Sequence, residues 1–407
     1  MRKILLVAFS LLPVFAFSQG FQVNLEGQKQ IGMGHTGTGV LLDGASVFFN
    51  PGAVVMLPDN YIQGGISPLL FKSDFNPSGT NIQNQTTNQV ATPFSFYGAW
   101  GPKAGWWKVG MAVYTPFGGL TDWGHDWAGK YVLESLNLKA IYFQPTLSIK
   151  LTKNLSIGGG FVYNSGSVDL TQAIPLGSTS GQDGQAELKG TGHGTGWNAG
   201  IYYRPSDKLS LGFSHRSQVT TTINGGNAIF TVPASLQSSF PQPNTFSSSI
   251  PLPATNSIGI GYYPTKKLIL AFDANFVGWN VYKALAFNYQ STTANLQNTY
   301  EPRNYKNATS FRLGGQYLAT NKLAVRLGGG YATTAVQDGY VSPEAPDANR
   351  IYFTGGLGYK LAKHFDIDAS FEYEHVMQRT QTNIQTQLAG TFKTEVYIPG
   401  ISIAYHW

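Results

Sequence analysis

The chain reads as all-β: a transmembrane antiparallel β-barrel of about fourteen strands plugged by an N-terminal hatch. Three features predict this. From Asn60 onward apolar and polar residues alternate with period two, which gives each strand two different faces. The connections between these runs are short and long by turns. Upstream of them lies a glycine-rich stretch with neither the alternation nor the length of the strands.

Composition agrees. Charged residues are 12% of the chain, about half the usual share, aromatics are 14%, and there are 48 Gly. Mean hydropathy is −0.12, too low for a helical membrane protein. Beyond the N-terminus no apolar run approaches the roughly 18 residues that a spanning helix needs. A barrel whose lipid-facing and lumen-facing residues alternate averages out in this way. Without Cys there is neither a disulfide nor a thiolate metal site. The formal charge of +6 is mild and scattered, which argues against nucleic acid as a partner.

Residues 1–18 are expected to be a signal peptide. Arg2 and Lys3 precede an apolar run ending in Ala16-Phe17-Ser18, with small residues at the two positions that a signal peptidase reads. Residues 19–58 form the expected hatch. Gly27, Gly32, Gly34, Gly37, Gly39 and Gly44 come too often there for a stable long helix. Residues 59–407 form the expected barrel. Its six short connections are 101–104, 152–154, 205–207, 264–267, 320–322 and 362–364. Its seven long ones are 69–92, 116–136, 171–189, 223–250, 284–303, 337–349 and 381–392. Outer-membrane barrels have this asymmetry, and a soluble sandwich has no reason to gather every long loop at one end. The last strand ends on Trp407, an aromatic suited to the membrane interface and similar to the terminal signal that barrel-assembly machinery reads.

Motifs for chemistry are weak. Gly32 to Gly37 spells G-x-G-x-x-G, but no parallel α/β pattern surrounds it, so no nucleotide cofactor is expected. The seven His show no ligand spacing, so no metal is expected. Ser214 and His215 are neighbours on one strand and point to opposite faces, which excludes them as a nucleophile–base pair. The 223–250 loop carries Leu236, Phe240 and Phe246, read as an apolar landing surface for ligand. Arg216, Arg312 and Arg326 are expected to face the lumen and pair with Asp273, Asp366 and Asp368. Between Gly110 and Gly119 the wall is expected to break, because Gly weakens a strand and Pro116 cannot donate to the ladder. Gly110, Pro116, Phe117 and Gly118 mark that kink.

The residues resemble the FadL/TodX family of outer-membrane transporters almost end to end. The resemblance is carried by Gly20-Phe21-Gln22, the glycine-rich plug and the Asn50-Pro51 turn closing it. Pro116-Phe117-Gly118, Trp197 to Gly200, Arg216-Ser217, Phe276 to Tyr282, Phe311 to Gly314 and Pro346 to Arg350 follow in order. It implies a fourteen-stranded barrel with a hatch, a ligand site beside the N-terminal peptide, and lateral exit at a kinked third strand. By this resemblance Phe21 plugs or lines the site, and Arg303 or Lys306 offers charge to a carboxylate. Two features depart from the pattern: the closing turn ends in Gly52 rather than Ala, and residues 168–172 carry no basic residue.

The expected function is uptake of hydrophobic small molecules such as fatty acids or hydrocarbons across the outer membrane of a Gram-negative bacterium. Neither catalysis nor a cofactor is expected. Outer-membrane lipid and the barrel-assembly machinery are the other expected partners. The rival readings are a general porin for polar solutes and a barrel-embedded lipid hydrolase.

Overall fold

The computed structural model describes residues 20–176 and 183–407; the expected signal peptide and the tip of the 171–189 connection lie outside the described residues. The alternating runs close into an antiparallel barrel of 14 strands. The first strand is Tyr61–Ile66 continued by Leu69–Pro77. Then come Phe94–Trp100, Trp107–Asp122, Ser135–Lys150, Leu155–Ile174 and Gly184–Ser206. The seventh is Leu209–Arg216 with Val219–Thr231, and the eighth Asn244–Leu252 with Thr255–Thr265. The last six are Leu268–Val277, Ala308–Leu318, Leu323–Ala332, Arg350–Ala362, Phe365–Thr382 and Ala389–His406. Pairing of Tyr61 with His406 through Ile66 with Ile401 closes the ring.

Period two decides what each face meets. On the thirteenth strand Asp366, Asp368, Ser370, Glu372 and Glu374 are buried inside, whereas Phe365 and Phe371 are exposed outside. Outward Leu313, Leu327 and Phe353 are 64%, 69% and 66% exposed, an apolar surface that only hydrocarbon would cover.

Several long connections are shorter than their composition implies. The third strand continues past Pro116 to Asp122, and 69–77 belongs to the first strand. The 223–250 loop is mostly a hairpin of the seventh and eighth strands, tipped by the 3-10 turn Ala234–Ser239. Polar, Pro- and Ser-rich sequence reports contact with water there, and paired strands above the membrane satisfy that equally well.

The N-terminal segment lies within the barrel. Its only helices among the described residues are Gln28–Ile31, Ser46–Phe49 and the 3-10 turn Pro51–Met56. Wall glycines let it approach: a Cβ at Gly212, Gly259, Gly314 or Gly328 would strike the backbone of Thr38, Gly39, Met33 or Gly34. Asn50, fully buried, donates to the carbonyls of Thr38 and Ile201 (both 3.0 Å), and its Oδ1 accepts from Gly52 N. Pro51 starts the 3-10 turn, where its missing N–H costs nothing.

Ionic contacts tie this segment to the wall. Lys29 Nζ lies 3.1 Å from Asp366, and Gly37 N and Thr38 N both donate to Asp273. Of the three lumen arginines, only Arg326 pairs with an expected acid, Asp368, at 2.7 Å. Arg312 stands opposite Asp273 in register but donates to the His35 carbonyl and Asn24, while Gly37 N and Thr38 N donate to Asp273 Oδ2. Arg216 stacks 4.3 Å over the Phe48 ring and donates to the Phe48 carbonyl.

Candidate functional site

The third strand breaks its own regularity at Thr115–Pro116. Its ladder with the fourth strand runs from Trp107–Ile149 to Tyr114–Tyr142, slips, and resumes at Phe117–Ala140. Pro116 has no N–H to give, and a bulge there re-aims every later side chain. Lys108, Ala112 and Tyr114 are buried before the slip; after it Phe117 and Thr121 are.

The opposite edge loses its partner at the same point. Pairing with the second strand ends at Ser95–Tyr114. Upstream of that strand, Gln85 and Val90 pair with the first strand instead, at Asp74 and Leu70. The residues leading to the second strand meet the third strand again at Asp122, whose carbonyl accepts from Thr87 N at 2.8 Å. The Asp122 carboxylate accepts from Thr87 Oγ1 at 3.0 Å and Gln89 Nε2 at 2.9 Å. Between these two fastenings the wall has a window, roughly 20–25 Å tall at strand rise.

The N-terminal peptide fills it. Gln22 bridges antiparallel to Phe117, Val23 N donates to the Pro116 carbonyl at 2.8 Å, and Gly118 N donates to the Phe21 carbonyl at 3.0 Å. Gly119 lies beside the Phe21 ring, where a Cβ would make an ordinary contact at 3.5 Å. Phe21 is 8% exposed and meets Tyr282 edge-on at 6.3 Å. Burial pushes the Tyr282 hydroxyl up to about 12, so it stays a neutral phenol beside that ring. Gly20, at φ 56, bends the chain against Trp279, and its N–H donates to Asp347 at 3.3 Å.

A cavity of about 510 Å³ runs beside this peptide. Its apolar lining includes Phe21, Val23, Leu25, Phe71, Phe117 and Ile398. At its inner end Arg350 bridges Asp347 and Glu374, and His35 lies 2.8 Å from Glu372. At the window it reaches Asn137, Lys139 and Ile141, which alternate with the inward residues of the fourth strand.

The other residues singled out from sequence stand apart from this cavity. Phe246 and Phe240 are 1% and 7% exposed, packed on Phe287 and Phe230, so they do not form an exposed surface. Leu236 is half-buried on the hairpin tip. Arg303 is buried between Glu301 and Glu344, and Lys306 is exposed with its backbone held by Ala335. Gly110 pairs regularly and makes room for Val47, so it is not part of the kink. Pro116, Phe117 and Gly118 are at the kink and touch the N-terminal peptide. Asp122, Trp279, Tyr282, Arg350 and Lys139 were missed. Two of the quoted family-like stretches, 276–282 and 346–350, contain three of them, and only their spatial convergence gives them a role.

Comparison with known proteins agrees with this architecture. Residues 9–407 match the family described as Outer membrane protein transport protein (OMPP1/FadL/TodX). The long-chain fatty acid transport protein of Escherichia coli O6:H1 is 24% identical over 97% of this chain and 95% of its own. The 47 kDa outer membrane protein of Pasteurella multocida is 23% identical over 100% and 98%. The crystal structure of a Pseudomonas aeruginosa FadL homologue superposes with a TM-score of 0.82 at 18% identity, covering 95% of this chain and 99% of that one. The P. putida toluene transporter TodX gives 0.73 at 16%, covering 94% and 98%. The chain belongs to the OMPP1/FadL/TodX family of outer-membrane transport proteins.

Proposed function

We propose that the protein admits hydrophobic small molecules through the outer membrane by diffusion and releases them sideways, through the wall, into the bilayer. The observation that carries this is the window: a gap in the ladder, beside a cavity that touches both faces of the wall, closed only by a non-covalent peptide. Residues 19–58 act as the hatch that keeps the barrel from being an open channel, and 1–18 as the signal peptide that directs export.

Magnitudes suit a stopper. Two backbone hydrogen bonds contribute about 1 kcal/mol each, and burying the Phe21 ring roughly 1.5–3 kcal/mol. A ligand gains about 0.8 kcal/mol per CH₂ buried, so a chain of several methylenes displaces the stopper. Lateral release then leaves that chain in hydrocarbon, where it is most stable.

The inner arginine, Arg350, is matched by Asp347 and Glu374, so the chamber selects for apolarity rather than for charge. Fatty acids, as named for the Escherichia coli relative, and hydrocarbons, as for TodX, both fit that criterion. A porin would need a lumen clear of the buried N-terminal segment. Binding without turnover is the reading for the chamber, and no cofactor is assigned. Outer-membrane lipid receives the ligand, and Trp407 on the last strand serves recognition by the barrel-assembly machinery.

Deleting Thr115 tests the route. The deletion removes the bulge and lets the third strand pair straight through from Tyr114 to Phe117, which straightens the kink that opens the window while Phe117 and Thr121 keep facing inward. Uptake of a radiolabelled fatty acid should fall to background while the barrel stays heat-resistant on gels. Unchanged uptake by a folded barrel would contradict lateral release.

A further inference from the structure

We infer that Lys139, with Asn137 beside it, forms a head-group station on the outer lip of the window, where the carboxylate of an anionic amphiphile rests while its tail passes through the wall. The inference rests on the lateral route proposed above.

The basic side chains lining the cavity are His35, Lys139 and Arg350. His35 faces Glu372, and Arg350 lies between Asp347 and Glu374. Lys139 has no ion pair among the described residues. The nearest acid on the neighbouring strand, Asp169, is one step off in register and lies 3.6 Å from Lys189, which also contacts Glu187. Lys139 is exposed, and its strand alternates so that it points outward, away from buried Leu136 and Ala140.

Its neighbours leave it free to reach the window. Across the ladder stands Gly118, which has no side chain to block the ammonium and whose N–H holds the Phe21 carbonyl. On the other side is Ser167, and one step above are Asn137 and Asp169. Below them Phe143 and Tyr163 form an apolar row, with Tyr163 bonded to His193 at 2.7 Å. Lys139 therefore stands about 13 Å along the strand above a ring row, where a lysine stem lies on apolar wall and its head reaches water. A carboxylate held there keeps its solvation while the tail fills the cavity below. The chamber alone is indifferent to the head group; this station makes the exit favour an anionic one.

The test compares oleate with its methyl ester, which has the same chain without the charge. The full chain is reconstituted in outer-membrane lipid vesicles, and arrival of each radiolabelled ligand in the bilayer is timed for the parent, K139M, K139E and K139R. Oleate transfer should fall about two- to fivefold in K139M, the range that an exposed ion pair supplies. It should fall further in K139E and be retained in K139R, with the ester unchanged throughout. Equal loss of both ligands would mean that Lys139 shapes the wall, overturning the inference. Unchanged oleate transfer, with loss of co-purifying phospholipid, would assign the lysine to a resident lipid and overturn it too. If neither ligand responds to Lys139 while deleting Thr115 blocks both, the inference fails and the lateral route stands. If deleting Thr115 blocks neither, the route itself fails.

Discussion

Phe21 and Arg350 face the same chamber with opposite consequences. The Phe21 ring is held by apolar contact alone, with Tyr282 at its edge and Gly119 beside it. Phe21→Ala should therefore leave the barrel and the N-terminal segment protected from protease. Bound ligand should be released about 10- to 100-fold faster, the factor corresponding to the roughly 1.5–3 kcal/mol of a buried ring. Stopped-flow displacement of a fluorescent fatty acid measures it, and cleavage within residues 28–43 would show that the ring anchors the plug instead. Arg350 has a charge to satisfy. Arg350→Met strands Asp347 and Glu374 around a neutral chain, and breaking a buried pair in this way costs about 3–5 kcal/mol. The midpoint of heat-induced mobility change on gels should drop, whereas a surface-like Lys306→Met should leave it unmoved.

Among the elements, the strands were legible in sequence and the window only partly so. Alternation exposes period two wherever one face meets lipid and the other the lumen, which is why runs such as 365–374 were read correctly. Strand ends were misread because polar, Pro-rich sequence marks solvent contact rather than loss of pairing. Glycine weakens a strand at a kink and also appears where a neighbour packs close, as Val47 does at Gly110, and the sequence does not separate the two uses. Pro116 was informative because it lacks a donor in any context. The partners of the third strand across the gap come from residues about a hundred positions before it and two hundred after it, and nothing local announces them. The same correction changes what the outer hairpin is expected to do. Phe246 packs against Phe287 beneath that hairpin, so Phe246→Ala should destabilise it by about 3–5 kcal/mol and hasten its proteolysis. Leu236→Ser, at the half-buried tip, should alter neither folding nor uptake by more than twofold, a ratio set by less than 1 kcal/mol.

Among the described residues the wall closes on itself and is interrupted at the third strand, and the N-terminal segment serves both features. Its later part is keyed to wall glycines and buried ions; its first residues complete the broken ladder. Gly328→Val would press a branched side chain into the Gly34 backbone, so the segment should become accessible to protease while the fourteen strands stay paired. The central claim is that ligand leaves through the wall rather than along the barrel axis. A fatty acid carrying a diazirine at its tail, photolysed in intact outer membranes and mapped by mass spectrometry, tests it most directly. The account predicts labels on both faces of the wall beside the kink, on Phe117, Leu120 and Ile141. Labels confined to the barrel interior away from the kink, on Lys29 and Asp366, would contradict it.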